Sequence, residues 1–326
     1  MAMQVPPLIS QYDKHFVAGK NILITGCTSG IGEALAYMVA DLKPNKIFLA
    51  CRSPAKGEAV KQKLTEKGVA SEILIGDMGH IEGTQRIANA VLSTREPLHV
   101  LVSNAGLFEA MRDDKVMSQQ PRLEQHFMTN YLSMVILCKA LKPLLEQSAP
   151  SRIVITGSFT HMDLVKGKAN LDNLQFEDGK VSSGPAVYND LAYGQSKLLQ
   201  YMWAKKFATT VGPDVAVMVY DPGQCETNND VYHLFKKMTK CCYCVLKAIM
   251  GTREAKDGAT VALWCADSPD AASANGQYVD FGIYGKLKMN SPCDLGYSPT
   301  HKKYAESIID PAQVDRLWKE TEVLLA

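Results

Sequence analysis

The sequence predicts an α/β fold built on a doubly wound parallel sheet, because short apolar runs alternate with amphipathic stretches over most of its length. The first apolar run, Asn21–Thr25, stops at a glycine, and the stretch after it has helical spacing up to Pro44. Such regular alternation implies parallel strands joined by right-handed helical crossovers. Sheets of this kind bind ligands at the carboxyl ends of their strands. We therefore expect function in the loops that follow the strands.

Each later element is predicted from the same two signals. Apolar runs bounded by small or polar residues predict strands, and amphipathic stretches ended by Gly or Pro predict helices. The region 161–187 has little periodicity and many polar residues, so we expect a loop there. The predicted strands are 21–25, 46–50, 72–75, 98–103, 152–156 and 215–220. The predicted helices are 31–42, 54–67, 81–93, 123–145 and 193–210.

Length and charge predict one domain that binds a small molecule. The 326 residues can form one large core, and no shift in composition marks a second boundary. We therefore expect an N-terminal extension at 1–19 and a single domain at 20–326. The 35 basic and 34 acidic residues nearly cancel, which argues against nucleic acid as a partner.

Cysteine usage and the N-terminus predict a reducing, cytoplasmic location. The nine cysteines form no paired C-x-x-C pattern, so we predict no metal site. Residues 1–20 carry prolines and charges in place of a long apolar core, unlike a signal peptide or a membrane span. A chain without these targeting signals is expected to stay where thiols remain reduced.

The segment 228–251 is predicted to be an irregular helical flap over the ligand site. It contains Cys241, Cys242 and Cys244 among apolar residues, with several lysines in 236–247. An apolar flap over a lipophilic ligand is the simpler interpretation of this composition. The alternative is a flap that contacts lipid or is palmitoylated, which would give peripheral membrane association.

A glycine-rich loop joins the first strand to the first helix and predicts a dinucleotide site. Glycines let the backbone approach a pyrophosphate, whose charge meets free N–H groups at the helix start. The alternative is a glycine turn without a ligand, but the strand and helix on either side favour the dinucleotide and a Rossmann fold. The expected contacts are Gly26, Thr28, Ser29, Gly30, Ile31 and Gly32.

Residues after the next three strands extend the predicted cofactor site. Arg52 stands where NAD sites usually place a carboxylate, and a guanidinium there can pair with a 2′-phosphate. We therefore predict that NADP(H) is preferred, with NAD(H) still open and a solvated arginine as the alternative interpretation. Asp77 is either an acceptor for the adenine amino group or an ordinary loop carboxylate. Asn104, Ala105 and Gly106 form a turn of small residues expected to pass close to the cofactor.

Tyr193 and Lys197 are the predicted chemical centre. Residues four apart share one face of a helix, so the phenol and the ammonium are neighbours. A phenol has a pKa of about 10 and is a poor base at neutral pH, but an adjacent cation favours the phenolate. The spacing alone also fits an ordinary amphipathic helix. Two further candidates lie earlier in the chain, since Asn130 lies in the predicted helix 123–145 and Ser158 follows the predicted strand 152–156.

From about 20 to 280, these motifs in this order resemble those of the short-chain dehydrogenase/reductase family. The resemblance implies that Tyr193 is the general acid in reduction and the base in oxidation. It implies that Lys197 lowers the pKa of Tyr193 and bonds the nicotinamide ribose, and that Ser158 positions the substrate oxygen. It also implies that Asn130 helps to hold a water that links Lys197 to solvent. His161 is expected to be a loop histidine, not a catalytic one.

Two further resemblances concern the cofactor and the substrate. The stretch after the sixth strand is similar to the family's P-G-x-x-x-T and implies cofactor contacts from Pro222, Gly223 and Thr227. Short stretches such as 50–53 and 195–198 resemble the retinol dehydrogenase branch, which implies an NADP(H)-dependent enzyme for retinoids or other lipophilic alcohols and carbonyls. Alternative substrates are steroids, prostaglandins or specialised metabolites, and a cofactor-binding regulatory protein without turnover is the alternative function. Family members are often dimers or tetramers, so we expect a homodimer or homotetramer.

Overall fold

The computed structural model describes residues 14–108, 123–163, 165–176, 191–225, 253–280, 307 and 309–325. The predicted flap at 228–251, its lysine-rich part at 236–247 and Thr227 lie outside the described residues.

A parallel sheet of seven strands forms the centre of the described part of the chain. The strands lie in the order β3-β2-β1-β4-β5-β6-β7. The order reverses between β1 and β4, and ligands of doubly wound folds bind at such a reversal. The predicted fold class is thereby confirmed. The strands are β1 Asn21–Thr25, β2 Lys46–Cys51, β3 Ala70–Ile75, β4 Val100–Ser103, β5 Ser151–Thr156, β6 Val215–Tyr220 and β7 Gln277–Val279.

Helices cover both faces of this sheet. The described helices are α1 Gly30–Asp41, α2 Pro54–Glu66, α3 Ile81–Thr94, α4 Ser133–Gln147, α5 Thr160–Asp163, α6 Leu191–Phe207, α7 Ala255–Asp267 and α8 Pro311–Leu324. One apolar core joins the sheet to α3, α4, α6 and α8, and a second joins it to α1, α2 and α7. Every residue of β1, β4, β5 and β6 is buried, as expected for central strands covered on both sides. None of the described helices is both long enough and apolar enough to cross a membrane.

The structure corrects the predicted helix at 123–145. A π-helical segment, Phe127–Leu132, precedes α4, so the stretch is not one regular helix. Apolar periodicity in a buried helix does not distinguish hydrogen bonds to the fourth residue from those to the fifth. The correction concerns function, because Asn130 lies inside the π-helical segment.

The loop expected at 161–187 is wrong in its first part. The structure places α5 there and a short 3₁₀ helix at Leu171–Asn173. Met162 and Leu171 are buried in the core, and elements this short show no periodicity in a sequence. Residues 177–190 lie outside the described part of the chain.

Part of the predicted N-terminal extension packs against the end of α7. The Val17 N–H donates to Asp267 Oδ1 at 3.1 Å, and His15 Nδ1 lies 2.7 Å from Asp267 Oδ2. Val17 itself is fully buried. The α7, β7 and α8 elements were not among the predicted strands and helices.

Candidate active site

The glycine loop between β1 and α1 lies directly against the turn that follows β4. Gly26 has a φ of +65°, and a Cβ on it would lie 2.8 Å from the Ala105 Cα. A Cβ on Gly32 would overlap the Gly26 carbonyl and would lie 2.5 Å from Asn104 Nδ2. Glycine is required at both positions because the two loops touch.

Hydrogen bonds fix this contact. Asn104 Nδ2 donates to the carbonyl oxygens of Thr25 at 3.0 Å and Gly26 at 3.3 Å. In return, Thr25 Oγ1 accepts from the backbone N–H groups of Asn104 at 3.0 Å and Ala105 at 2.9 Å. The predicted cofactor turn is therefore held rigidly beside the glycine loop.

The start of α1 offers backbone donors at the same place. Its N-cap residue is Ser29, whose side chain makes no capping hydrogen bond. Thr28, Ser29 and Gly30 are half-buried, whereas Ile31 and Gly32 are buried. The first-turn N–H groups, which have no acceptor within the helix, are thus available to an anion.

Arg52 and Asp77 follow β2 and β3 at the same edge of the sheet. Arg52 is exposed, and no hydrogen bond or ion pair joins it to the described residues. Asp77 Oδ1 accepts from the Gly79 N–H at 2.9 Å, and its Oδ2 lies 3.7 Å from His80 Nδ1. Asp77 thus stabilises its own turn through Oδ1, and the His80 ring lies near its Oδ2.

Tyr193 and Lys197 lie one turn apart on α6, as predicted. Lys197 Nζ donates to the Thr156 carbonyl at 2.9 Å and lies 5.6 Å from the centre of the Tyr193 ring. A Cβ on Gly106 would stand 3.7 Å from this nitrogen, so the cofactor turn ends beside the ammonium. Burial lowers the pKa of Lys197 to about 7, and the negative charge of Asp221 opposes this shift. The lysine is therefore poised between charged and neutral forms near neutral pH.

Two ring contacts flank Tyr193. The Phe108 ring meets it edge-on with centroids 4.6 Å apart, and the His126 ring lies at 5.8 Å. His126 Nδ1 lies 3.1 Å from Glu124 Oε1, and Glu124 Oε2 accepts from the Phe127 N–H at 2.7 Å. The sequence analysis did not single out this buried pair. The signal was a carboxylate and an imidazole two residues apart, shortly before Asn130.

Asn130 connects the loop after β4 to α6. Its Oδ1 accepts from the Leu107 N–H at 2.7 Å, and its Nδ2 donates to the Leu107 carbonyl at 3.0 Å. The same Nδ2 donates to Ser196 Oγ at 2.9 Å, and the Asn130 carbonyl accepts from Gln200 Nε2 at 2.8 Å. Both N–H donors of the side chain are thus used in holding the two elements together.

Ser158 lies two residues beyond β5, next to the strand end that Lys197 contacts. Its Oγ accepts from Thr160 Oγ1 at 3.0 Å and from the Thr160 N–H at 3.3 Å. The Ser158 carbonyl lies 2.5 Å from His161 Nδ1. Burial lowers the pKa of His161 to about 4, so the ring is neutral at pH 7 and its Nδ1–H donates to that carbonyl. The expected loop histidine is in fact a buried residue of α5 that fixes the Ser158 backbone.

Asp221 is a further buried residue that the sequence analysis missed. It lies between β6 and the predicted cofactor contacts Pro222 and Gly223, and Gly223 has a φ of +71°. Burial raises the pKa of Asp221 to about 7, with an added contribution from the Asp280 charge. An Asp-Pro-Gly turn is usually read as turn chemistry alone, which is why its carboxyl gave no signal.

Comparisons with known proteins show which family the chain resembles. Residues 20–169 match the family described as short chain dehydrogenase. Retinol dehydrogenase 14 of Homo sapiens is 27% identical over 96% of this chain and 88% of its own length. Retinol dehydrogenase 12 of Mus musculus is 26% identical over 80% of this chain and 78% of its own length.

Solved structures share the fold. L-Sorbose reductase from Gluconobacter frateurii, complexed with NADPH and L-sorbose, is 21% identical with a TM-score of 0.66 and covers 83% of this chain and 98% of its own. A short chain dehydrogenase from Burkholderia cenocepacia in complex with NADP is 22% identical with a TM-score of 0.61, covering 81% and 96%. Fold, motif order and sequence similarity agree. The chain resembles the short-chain dehydrogenase/reductase family of oxidoreductases, and in particular the retinol dehydrogenases.

Proposed function

We propose that this chain is an NADP(H)-dependent dehydrogenase or reductase that moves a hydride between the nicotinamide and a lipophilic alcohol or carbonyl, such as a retinoid. One observation carries the proposal: a buried ammonium, Lys197, lies 5.6 Å from the centre of the Tyr193 ring and beside Gly106 of the turn after β4. The relatives named retinol dehydrogenases support the substrate class, and the similar structures complexed with NADP or NADPH support the cofactor.

The described residues fit such a cofactor. Gly26 and Gly32 let the glycine loop pack against the turn after β4, and the backbone N–H groups at the start of α1 would meet a pyrophosphate. The exposed Arg52 would pair with a 2′-phosphate, and Asp77 would accept from the adenine amino group. Pro222, Gly223 and Thr227 would line the nicotinamide half. When bound, the cofactor supplies or accepts the hydride.

Tyr193 donates or accepts the proton of the reaction. In reduction its hydroxyl donates a proton to the substrate oxygen, and in oxidation the phenolate takes a proton from the alcohol. A charged Lys197 favours the phenolate because an adjacent cation stabilises the anion. We propose that a water on the Asn130 carbonyl then links Lys197 to solvent.

Ser158 would donate a hydrogen bond to the substrate oxygen. Both donors of Thr160 point at its Oγ, so the Ser158 hydroxyl hydrogen is not needed for that contact. A hydroxyl whose lone pairs are engaged and whose hydrogen is available acts as a donor to developing negative charge. His161 holds the backbone of the same residue, which fixes the direction of this donor.

The proposal is tested by NADPH oxidation with a panel of carbonyls. The panel contains retinaldehyde, a steroid ketone, a prostaglandin ketone and a polar sugar ketone, with NADH in parallel. We expect turnover with the lipophilic carbonyls and a higher kcat/KM with NADPH than with NADH. Turnover confined to the steroid or the prostaglandin would replace the retinoid as the substrate within the lipophilic class. Tight NADPH binding without turnover of any carbonyl would point to a cofactor-binding regulatory protein instead.

We also propose a cytoplasmic location, peripheral membrane contact through 236–247, and a homodimer or homotetramer. The composition of 236–247, which lies outside the described residues, supports the membrane contact. Vesicle flotation tests the contact, and light scattering after size exclusion tests the assembly. A monomer that fails to float with anionic vesicles would contradict both.

A further inference from the structure

The Asp221 carboxyl lies one strand away from the hydrogen bond of Lys197. Lys197 Nζ donates to the carbonyl of Thr156, the last residue of β5. Thr156 pairs with Tyr220 in the parallel register, and Asp221 directly follows Tyr220. Neighbouring strands lie about 4.8 Å apart, so the carboxyl lies at the same edge of the sheet as the ammonium, and its charge acts on the lysine. Both side chains are almost completely buried, with Asp221 1% and Lys197 3% exposed.

Hydrogen bonds fix Asp221 and connect it to two loops and a strand. Its Oδ1 accepts from the Gly223 N–H at 2.8 Å, and its Oδ2 accepts from the Tyr278 hydroxyl at 3.1 Å. The Phe159 N–H also donates to it. Its own N–H donates to the Val279 carbonyl at 2.9 Å. The carboxyl therefore joins the Ser158 loop, the Pro222–Gly223 turn and β7.

The groups around the pair favour a charged lysine when Asp221 is ionised. Asp280 repels the Asp221 charge, whereas the Tyr278 hydroxyl and the Gly223 and Phe159 N–H groups stabilise it. The neutral His161 ring packs on Tyr278 with centroids 4.9 Å apart and brings no charge to the site. The other titratable groups that feel the Asp221 charge are Tyr220 and Cys225. Both are held protonated at neutral pH, since burial raises the pKa of each.

Lys197 therefore has few other sources of a counter-charge. Its one hydrogen bond within the described residues goes to a neutral carbonyl, and the Tyr193 ring lies near it as a weak partner for a cation. An isolated ammonium in such a place loses its proton, because burial disfavours the charged form. Asp221 is the carboxylate that opposes this loss.

We propose that Asp221 is a positioning residue of the catalytic site, whose carboxylate keeps Lys197 protonated and whose hydrogen bonds hold the Ser158 loop beside it. The inference rests on the proposed function, because the charge of Lys197 acts on the reaction through Tyr193. It assigns Asp221 to the chemistry without direct contact between its carboxyl and the substrate.

The test measures the titration of Lys197 directly. The protein is labelled with ¹³Cε-lysine, and the Lys197 signal is assigned by its loss in Lys197→Met. In Asp221→Asn we expect the Lys197 midpoint to move to lower pH by about one unit. The alkaline limb of the kcat profile should move in the same direction, because fewer molecules then carry the cation. A loss of packing alone would lower kcat at every pH without moving the limb.

Asp267→Asn is the matched control. Asp267 is also a fully buried carboxylate with two partners, but it lies at the end of α7 beside His15 and Val17. It should leave the Lys197 midpoint unchanged. A folded Asp221→Asn protein whose Lys197 midpoint stays at the wild-type value, or rises, would overturn the inference.

Tyr278→Phe keeps the inference testable if Asp221→Asn does not fold. This variant removes only the hydroxyl that stabilises the Asp221 carboxylate, so the Lys197 midpoint should fall by a smaller amount. An unchanged midpoint in this folded variant would count against the inference. The titration needs no turnover, which separates the two proposals. A wild-type protein without turnover contradicts the proposed function, whereas an active enzyme with an unchanged midpoint contradicts the role of Asp221 alone.

Discussion

Burial has different consequences for two side chains of this site, Lys197 and His161. It lowers the pKa of Lys197 and of His161, because a low dielectric disfavours a cation. For His161 the result is a neutral donor that serves the Ser158 backbone. For Lys197 burial favours the neutral amine, whereas the proposed role beside Tyr193 requires the cation, and the nearby Asp221 charge opposes the effect of burial. The charge state of the site thus depends on one buried pair.

Arg52→Glu tests the cofactor preference at the scale of one side chain. The change replaces the proposed partner of the 2′-phosphate with a repelling charge. A lost charge-assisted contact is worth about 1.5–3 kcal/mol, so NADPH should bind roughly tenfold to a hundredfold more weakly. NADH binding, which involves no 2′-phosphate, should change little. Fluorescence titration with both cofactors gives the two dissociation constants.

Arg95→Glu is the control for that charge reversal. Arg95 is likewise exposed, but it ends α3 at the opposite edge of the sheet. It should leave NADPH binding unchanged. Equal affinities of Arg52→Glu and the wild type for NADPH would show that Arg52 is an ordinary solvated side chain.

At the scale of elements, the contact between two loops shapes the proposed cofactor site. The glycine loop and the turn after β4 touch closely enough that a single methyl group at Gly32 has no space. The π-helical segment then turns Asn130 toward both Leu107 and Ser196, so the second loop is also attached to α6. The cofactor loops and the helix that carries Tyr193 are therefore one connected unit.

Gly32→Ala tests this contact. Its Cβ would collide with the Gly26 carbonyl and the Asn104 amide, and an overpacked site of this kind costs about 1–3 kcal/mol. We expect a lower free energy of unfolding in urea and much weaker NADPH binding. Gly212→Ala is the matched control, since a Cβ there meets nothing within 4 Å. Wild-type stability and NADPH affinity in Gly32→Ala would contradict the close contact.

The elements also show what a sequence can and cannot predict. Six of the seven strands of the described sheet were predicted within two residues, because a parallel strand covered on both faces is a continuous apolar run, as in Val215–Tyr220. Lys197 and Tyr193 were paired correctly because four residues on a helix are a local relation. Asp221 was missed because its partners, Tyr278 and Phe159, come from distant segments that only the folded sheet brings together. For α8 a local signal existed, an Asp310 N-cap before Pro311, but no pattern linked it to the core.

At the scale of the whole molecule, helix α8 packs against α6, the helix that contains Tyr193 and Lys197. Leu317 is fully buried, and Trp318 stacks on Trp203 of α6 with ring centroids 5.5 Å apart. An ion pair also joins α4 to α8, with 2.6 Å between Lys139 Nζ and Glu322 Oε2. The position of Tyr193 and Lys197 thus depends on a segment far from them in the chain.

Leu317→Ala tests this support. Removing a fully buried leucine side chain costs about 2–5 kcal/mol, so the free energy of unfolding should fall by that amount. Val323→Ala is the control on the same helix, because Val323 is 79% exposed and surface changes cost less than about 0.5 kcal/mol. Urea unfolding measures both variants. A Leu317→Ala protein as stable as Val323→Ala would show that α8 does not brace the core.

The most direct test of the account is single-turnover reduction of the best carbonyl by Tyr193→Phe, with NADPH binding measured on the same protein. Tyr37→Phe, which loses a hydroxyl bonded to Glu33 on α1, is the matched control and should keep wild-type turnover. We predict that Tyr193→Phe binds NADPH almost as well as the wild type but reduces the substrate at least about a hundredfold more slowly, because its proton donor is gone. Substantial turnover by Tyr193→Phe would contradict the assignment of Tyr193 as the acid and base of the reaction.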